Sequence, residues 1–311
     1  GHAMYWQKTI KEEINFRSVG LHSGRKVGMT VKPADADAGI VFIRKDVASD
    51  NRIAADIRNV TDTTLATTLG MNGTRVHTVE HLLSAFRGLG IDNAIVEVDT
   101  FEVPIMDGSS QPFVRALKSV GLKTLRKPRR YLKVKKPVSV SEGESMAMLE
   151  PAPDFRITYK IDFPHPVVGT QSYHMVFSSD AYEREISSAR TFGFLRDVEY
   201  LQAKGLALGG SLQNAVVLDD EKVINKEGLR SHDEFVKHKI LDAVGDLYLV
   251  GMPILGHFTA YKSGHKLNTQ LLKTLLTRGD SWEIVSHPHP AARAESHGER
   301  MPGAASAAAT T

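Results

Sequence analysis

His238 and Asp242 stand four residues apart in the stretch Phe235-Val-Lys-His-Lys-Ile-Leu-Asp-Ala-Val-Gly-Asp-Leu-Tyr248. In a helix, side chains at i and i+4 lie on one face, one above the other. Asp246 is one further step of four along. Each such step drifts only about 40° round the axis, so the three form one polar stripe, with Val236, Ile240, Val244 and Leu247 roughly opposite. An imidazole and a carboxylate at this spacing can share a zinc ion. A solvated helix face with a His-Asp pair has the same spacing. The chain has no cysteine, so there is no disulfide and any metal must be held by His, Asp or Glu. A catalytic zinc takes three protein ligands and keeps one position open. His81 is the best third candidate, because its neighbour Glu80 is a carboxylate that could act as base on a water in that open position. The spacing is not the His-Glu-x-x-His of zinc peptidases, so a standard metallopeptidase is not indicated.

The elements that must position these residues are legible in part. Val79, Leu82, Leu83 and Phe86 repeat as one apolar helix face, with Thr78 or His77 at its start and Gly88 and Gly90 at its end. Glu80 falls in the first turn, where the helix dipole alone favours it, and His81 is out of the apolar phase. Residues 14–32, 40–45 and 91–98 read as strands, as does the Thr-rich stretch 61–69. His22, in the turn Leu21-His-Ser-Gly24, is open to a functional reading, but turns favour polar residues on general grounds. Further strands are expected at 131–140, 145–150, 156–163, 172–177, 215–219 and 254–261. Helices are expected at 111–120, 180–188, 197–205 and 268–277.

Composition bounds the class. The length of 311 residues suits two domains of ordinary size. The formal charge of +3 is too small to argue for a polyanionic partner. Eight basic residues fall between Lys123 and Lys136. A linker is favoured there over a nucleic-acid patch, because Tyr131 is the one aromatic available for base stacking. No apolar run reaches the ~18 residues of a membrane helix, and without a targeting segment the expected compartment is the cytoplasm. Residues 1–4 read as an expression-tag remnant and 287–311 as a disordered tail.

Six segments in order then carry a resemblance: Thr78-Val-Glu-His-Leu82, Pro104-Ile-Met-Asp-Gly-Ser109, Ser188-Ala-Arg-Thr-Phe-Gly-Phe194, Leu208-Gly-Gly-Ser211, Asp233-Glu-Phe-Val-Lys-His-Lys239 and Lys262-Ser-Gly-His265. Together they closely resemble the UDP-3-O-acyl-N-acetylglucosamine deacetylases, zinc amidases of lipid A biosynthesis in Gram-negative bacteria. The resemblance implies an α+β fold of two similar sheet-plus-helices domains, 5–125 and 130–286, with the active site between them. It implies Zn2+ held by His81, His238 and Asp242, with Glu80 as general base. His265 is then the acid or oxyanion donor, Asp246 its orienting carboxylate, and Thr191 a further oxyanion hydroxyl. Lys239, Phe192, Phe194, Asp197, Lys262 and Phe163 match substrate-contact positions, and an insert at about 194–219 matches an acyl-chain passage. The implied partners are a nucleotide-linked acylated amino sugar and zinc-chelating hydroxamate inhibitors. No nucleic acid and no transmembrane segment are expected. The enzyme is expected as a monomer that touches a membrane surface at most transiently.

Two positions depart from the pattern. Ser145 stands where many relatives have a lysine thought to reach the nucleotide phosphates, and Lys266 follows His265 where relatives commonly have alanine. A lysine close to the acid would depress its pKa. Two rival readings stay open, a zinc amidase for another acylated amino sugar and a non-enzymatic nucleic-acid binder using residues 123–136.

Overall fold

The computed structural model describes residues 5–286. The expected tag remnant (1–4) and tail (287–311) lie outside the described residues. The first half runs β1 (Trp6–Ile10), β2 (Ile14–Val19), β3 (Lys26–Pro33), β4 (Ile40–Arg44), β5 (Arg52–Ala54), β6 (Val60–Asp62), β7 (Thr68–Met71), β8 (Thr74–Val76), α1 (Glu80–Leu89), β9 (Ala94–Val98), α2 (Gln111–Val120) and β10 (Leu122–Pro128). The second runs β11 (Tyr131–Val134), β12 (Val138–Glu142), β13 (Ser145–Glu150), β14 (Phe155–Asp162), β15 (Thr170–Val176), α3 (Ser179–Ala181), β16 (Phe192–Phe194), α4 (Leu195–Ala203), β17 (Val216–Leu218), α5 (Glu234–Leu247), β18 (Ile254–Tyr261), α6 (His265–Thr277) and β19 (Trp282–Val285). The fold is α+β, as expected.

One sheet has the order β2-β3-β9-β4-β5, antiparallel except for the β4–β9 pair. A seven-stranded sheet is built on β18, which lies between β13 and β14 and pairs β11 at its start. Along β14 the alternation is plain: Phe155, Ile157, Tyr159 and Ile161 are buried and the residues between them are not. Among the described residues, no strand before residue 129 pairs with a strand after it.

The basic stretch at 123–136 is not a linker. Its first part, β10, runs antiparallel to β1, and its last part is β11 in the large sheet. Lys123, Arg126 and Lys127 are exposed. Arg129, at the crossing, is buried and paired with Asp92 at 3.0 Å. Pro137 separates β11 from β12 where one strand was expected, because proline has no N–H to give to a ladder. The 61–69 strand is likewise broken between β6 and β7, and the bend carries Leu65.

The two helices read from the sequence lie at the centre. All ten residues of α1 are buried, as are twelve of the fourteen in α5. The expectation of a polar stripe opposite an apolar face is therefore only partly met: α5 packs against α1, α6 and β14 and is covered nearly all round. A Cβ at Gly245 would strike the backbone carbonyl of Glu80. Only glycine lets the last turn of α5 come so close to the first turn of α1.

Gly245→Ala should therefore destabilise the protein by about 1–3 kcal/mol, the usual cost of overpacking. Urea unfolding should show a lower midpoint at unchanged slope, and a wild-type midpoint would show that α1 can shift without cost.

Candidate active site

His81 arrives from the first turn of α1, and His238 and Asp242 from successive turns of α5. Their ligand atoms converge: His81 Nε2 and His238 Nε2 lie 3.1 and 3.2 Å from the same oxygen, Asp242 Oδ1. A tetrahedral zinc with bonds of ~2.0–2.1 Å separates its donors by roughly 3.3 Å, so the spacing fits such an ion. The tautomer of His238 is set as well. Its Nδ1 donates to Ala189 O at 2.9 Å, which leaves Nε2 with its lone pair toward Asp242. Ala189 is itself fixed by its neighbour Arg190, whose guanidinium meets Glu234 of α5 at 2.8 Å, both buried. On the other side, Ser110 donates to His81 O at 2.7 Å. Burial opposes ionisation of Asp242, but the His238 and His81 imidazoles outweigh it and hold the carboxyl well below its usual range.

Glu80 and His265 face each other beside this cluster, with His265 Nε2 at 3.3 Å from Glu80 Oε2. Burial raises the Glu80 carboxyl, and the His265 charge works against that rise. Asp246 lies behind His265, fully buried. It takes His265 Nδ1 at 2.7 Å, the Thr67 hydroxyl at 2.6 Å and the Asn268 amide at 3.1 Å. Burial disfavours the His265 imidazolium, but Asp246 and Glu80 outweigh it and push its pKa up to about 10. Lys266 does not bear on that ring as expected. Its ammonium turns to Glu142, 3.1 Å away.

A cavity of about 610 Å³ opens from this cluster. Glu80, His81, His238, Asp242 and His265 line one end, with Thr191 and Lys239 also on its wall. The apolar side is made by β16, β17 and α4. Phe192 and Phe194 come from β16, while Leu195, Val198 and Leu201 recur at i, i+3, i+6 on α4. Phe163 closes on both phenylalanines, its ring centroid 5.8 and 5.7 Å from theirs. Asp197 also lines the cavity. Lys262 does not line it and stands instead 3.5 Å from Glu144. The carboxylate of Asp246 reaches the cavity only through His265.

His22, for which sequence reasoning favoured a plain turn residue over a functional one, lies at the site. Its ring lines the cavity, its Nδ1 is buried without a hydrogen-bond partner, and burial holds its pKa below the usual histidine range. A histidine flanked by glycines in a short turn was the available signal, and only the fold shows where the turn lands.

Comparison with known proteins identifies the family. Residues 7–277 match the model of the family described as UDP-3-O-acyl N-acetylglycosamine deacetylase. A protein of Syntrophus aciditrophicus (strain SB) named UDP-3-O-acyl-N-acetylglucosamine deacetylase is 62% identical over 283 residues, 91% of this chain and 90% of its own length. Proteins of the same name from Shewanella sp. (strain W3-18-1) and Shewanella oneidensis are each 52% identical over 286 residues, 91% of this chain and 94% of theirs.

His238→Ala should lose bound metal, because two donors rarely hold a catalytic ion. Elemental analysis of the purified variant should read well below the wild type, and full metal content would show that the ligand set lies elsewhere.

Proposed function

Because the chain belongs to the UDP-3-O-acyl N-acetylglycosamine deacetylase family, we propose that it removes the N-acetyl group of UDP-3-O-acyl-N-acetylglucosamine by zinc-dependent hydrolysis, in lipid A biosynthesis. The observation that carries this reading is the gathering of three metal-type donors, a carboxylate and a carboxylate-paired imidazole on a cavity whose other side is largely apolar. Zinc at His81, His238 and Asp242 would supply Lewis acidity toward the amide carbonyl and a water acidic enough to attack near neutral pH.

The chain's own groups do the rest. Glu80, raised by burial, accepts the proton of the attacking water. His265, held cationic by Asp246, donates to the developing oxyanion and then passes its proton to nitrogen as the C–N bond breaks. The Thr191 hydroxyl adds a second donor to that oxyanion. Phe163, Phe192 and Phe194 enclose the acyl chain, within the 194–219 insert and beside it. Lys239, Asp197 and Lys262 contact the nucleotide-sugar end, Lys262 by leaving Glu144. The strand pairing supports two units, 5–125 and 130–286. We read the enzyme as a monomer. Among the described residues no helix is long and apolar enough to cross a membrane, which accords with a cytoplasmic enzyme.

The direct test is acetate release from the nucleotide-linked substrate, with water-soluble N-acetyl sugars as the competing class. Release from the simple sugars alone would place the activity on another amino sugar. Shortening the acyl chain should weaken binding by roughly 0.8 kcal/mol per methylene, and a flat chain-length series would exclude the passage. Hydroxamates, which chelate through two oxygens, should inhibit.

The pH profile follows from the two raised groups. Activity should fall on the acid side as Glu80 gains a proton and on the basic side as His265 loses one. A cation nearby works against the charged ring, so the basic limb should lie at or below about 10. Asp246→Asn removes the carboxylate that holds the imidazolium and should move that limb to lower pH. His265→Ala should keep metal and lower kcat by about 10²–10⁴. The measurement is kcat against pH, and an unmoved basic limb in Asp246→Asn would remove this pair from the mechanism.

A further inference from the structure

Glu102 has none of its surface exposed. Its two oxygens are shared between separate segments. Oε1 accepts from the backbone N–H of Ser23 at 2.9 Å, and Oε2 accepts from the N–H of His22 at 3.0 Å and from the Thr78 hydroxyl at 2.9 Å. Thr78 has φ of 61°, the left-handed region that a β-branched residue seldom occupies, one residue before α1's cap and two before Glu80. A bridge between His77 and Glu102 holds the backbone from the other side. The turn is fitted to the carboxylate as well: a Cβ at Gly20 would strike it. One buried carboxylate thus ties the turn carrying His22 to the start of the helix carrying Glu80 and His81.

We infer that Glu102 is a positioning residue, fixing the 20–24 turn against the entry to α1 so that the His22 imidazole faces the ligand in the cavity. This rests on the reading of that cavity as the substrate site. The chemistry asks for a carboxylate. Three donors converge on it, and an ionised carboxylate has acceptors only. A glutamine would turn its amide hydrogens toward a backbone N–H and leave that donor unpaired.

The test is a double-mutant cycle on the full chain with its metal, using Glu102→Gln, His22→Ala and the pair. Glu102→Gln should lower kcat/KM by about 10- to 100-fold at unchanged metal content, since a positioned group displaced by about 1 Å can cost 10²-fold. The pair should be no worse than His22→Ala alone, because the carboxylate acts through that ring. Wild-type kinetics in Glu102→Gln, or fully additive losses in the pair, would overturn the inference. If Glu102→Gln does not fold, Thr78→Val loosens the same anchor, and its loss should vanish likewise in the His22→Ala background. A second readout needs no turnover. The ring NMR signals of His22, assigned by their loss in His22→Ala, should shift or broaden in Glu102→Gln, and unmoved signals would overturn the inference. A wild-type enzyme with no turnover on the nucleotide substrate would instead overturn the proposed substrate and leave the NMR result to decide the role of Glu102.

Discussion

The close approach of α1's first turn to the C-terminal half of α5 is the constraint on which the site depends. His81 and Glu80 come from one helix, and His238, Asp242 and Asp246 from the other. A ligand set with donors about 3 Å apart cannot be shared between two helices at the usual 8–10 Å axial distance unless the backbones come near at that level. Gly245 permits this, one turn beyond Asp242. The Tyr248 hydroxyl, just past α5, donates to Ile91 O, just past α1, at 2.7 Å and ties the same two helices again.

That arrangement gathers charge in a place where charge is costly. Glu80, Asp242 and Asp246 are all buried, and each would be expensive to keep ionised alone. The structure answers with three imidazoles and with neutral donors. Asp242 lies between His81 and His238, Asp246 is saturated by His265, Thr67 and Asn268, and Glu80 takes His265 and the N–H of Thr67 at 3.1 Å. The two acids Glu80 and Asp242 thereby differ in environment. Asp242 lies against the His238 and His81 imidazoles, which hold its carboxyl low, while burial dominates at Glu80 and raises its carboxyl. The network is stiff because nearly every member has its partners within itself.

The apolar side of the cavity is built in the opposite manner. No residue of α4 is buried, and β16 is only half-covered. Nine residues of helix with no buried face have little to hold them by themselves, so this wall leans on β17, on Phe163 and on the loop at 206–210. That loop docks onto the 20–24 turn through Leu208 N to His22 O at 3.1 Å and Gly209 N to Leu21 O at 2.9 Å. A chain-shaped apolar ligand would supply the burial that the wall lacks, which accords with a cavity rigid at its polar end and adaptable along its length.

How much of this was legible follows physical range. The periodicity of α1 and α5 is local, so both helices and the shared face of His238, Asp242 and Asp246 could be read from side-chain spacing alone. The motifs that carry the family resemblance are local too, and they pointed to His81, His238, Asp242, Glu80 and His265, which the fold brings together. What the spacing could not decide was depth. A stripe of His and Asp looks like a solvated face until it is known that α5 is enclosed by α1, α6 and β14, and burial is a property of the whole chain. The stretch 123–136 was misread for the same reason. Its charges suggested a linker, but pairing with Trp6–Ile10, over a hundred residues away, makes it a strand. His22 and Glu102 show the limit most clearly. A turn histidine and a buried glutamate eighty residues apart in sequence carry no mutual signal, and only the tertiary structure brings the carboxylate under the turn and the imidazole to the cavity.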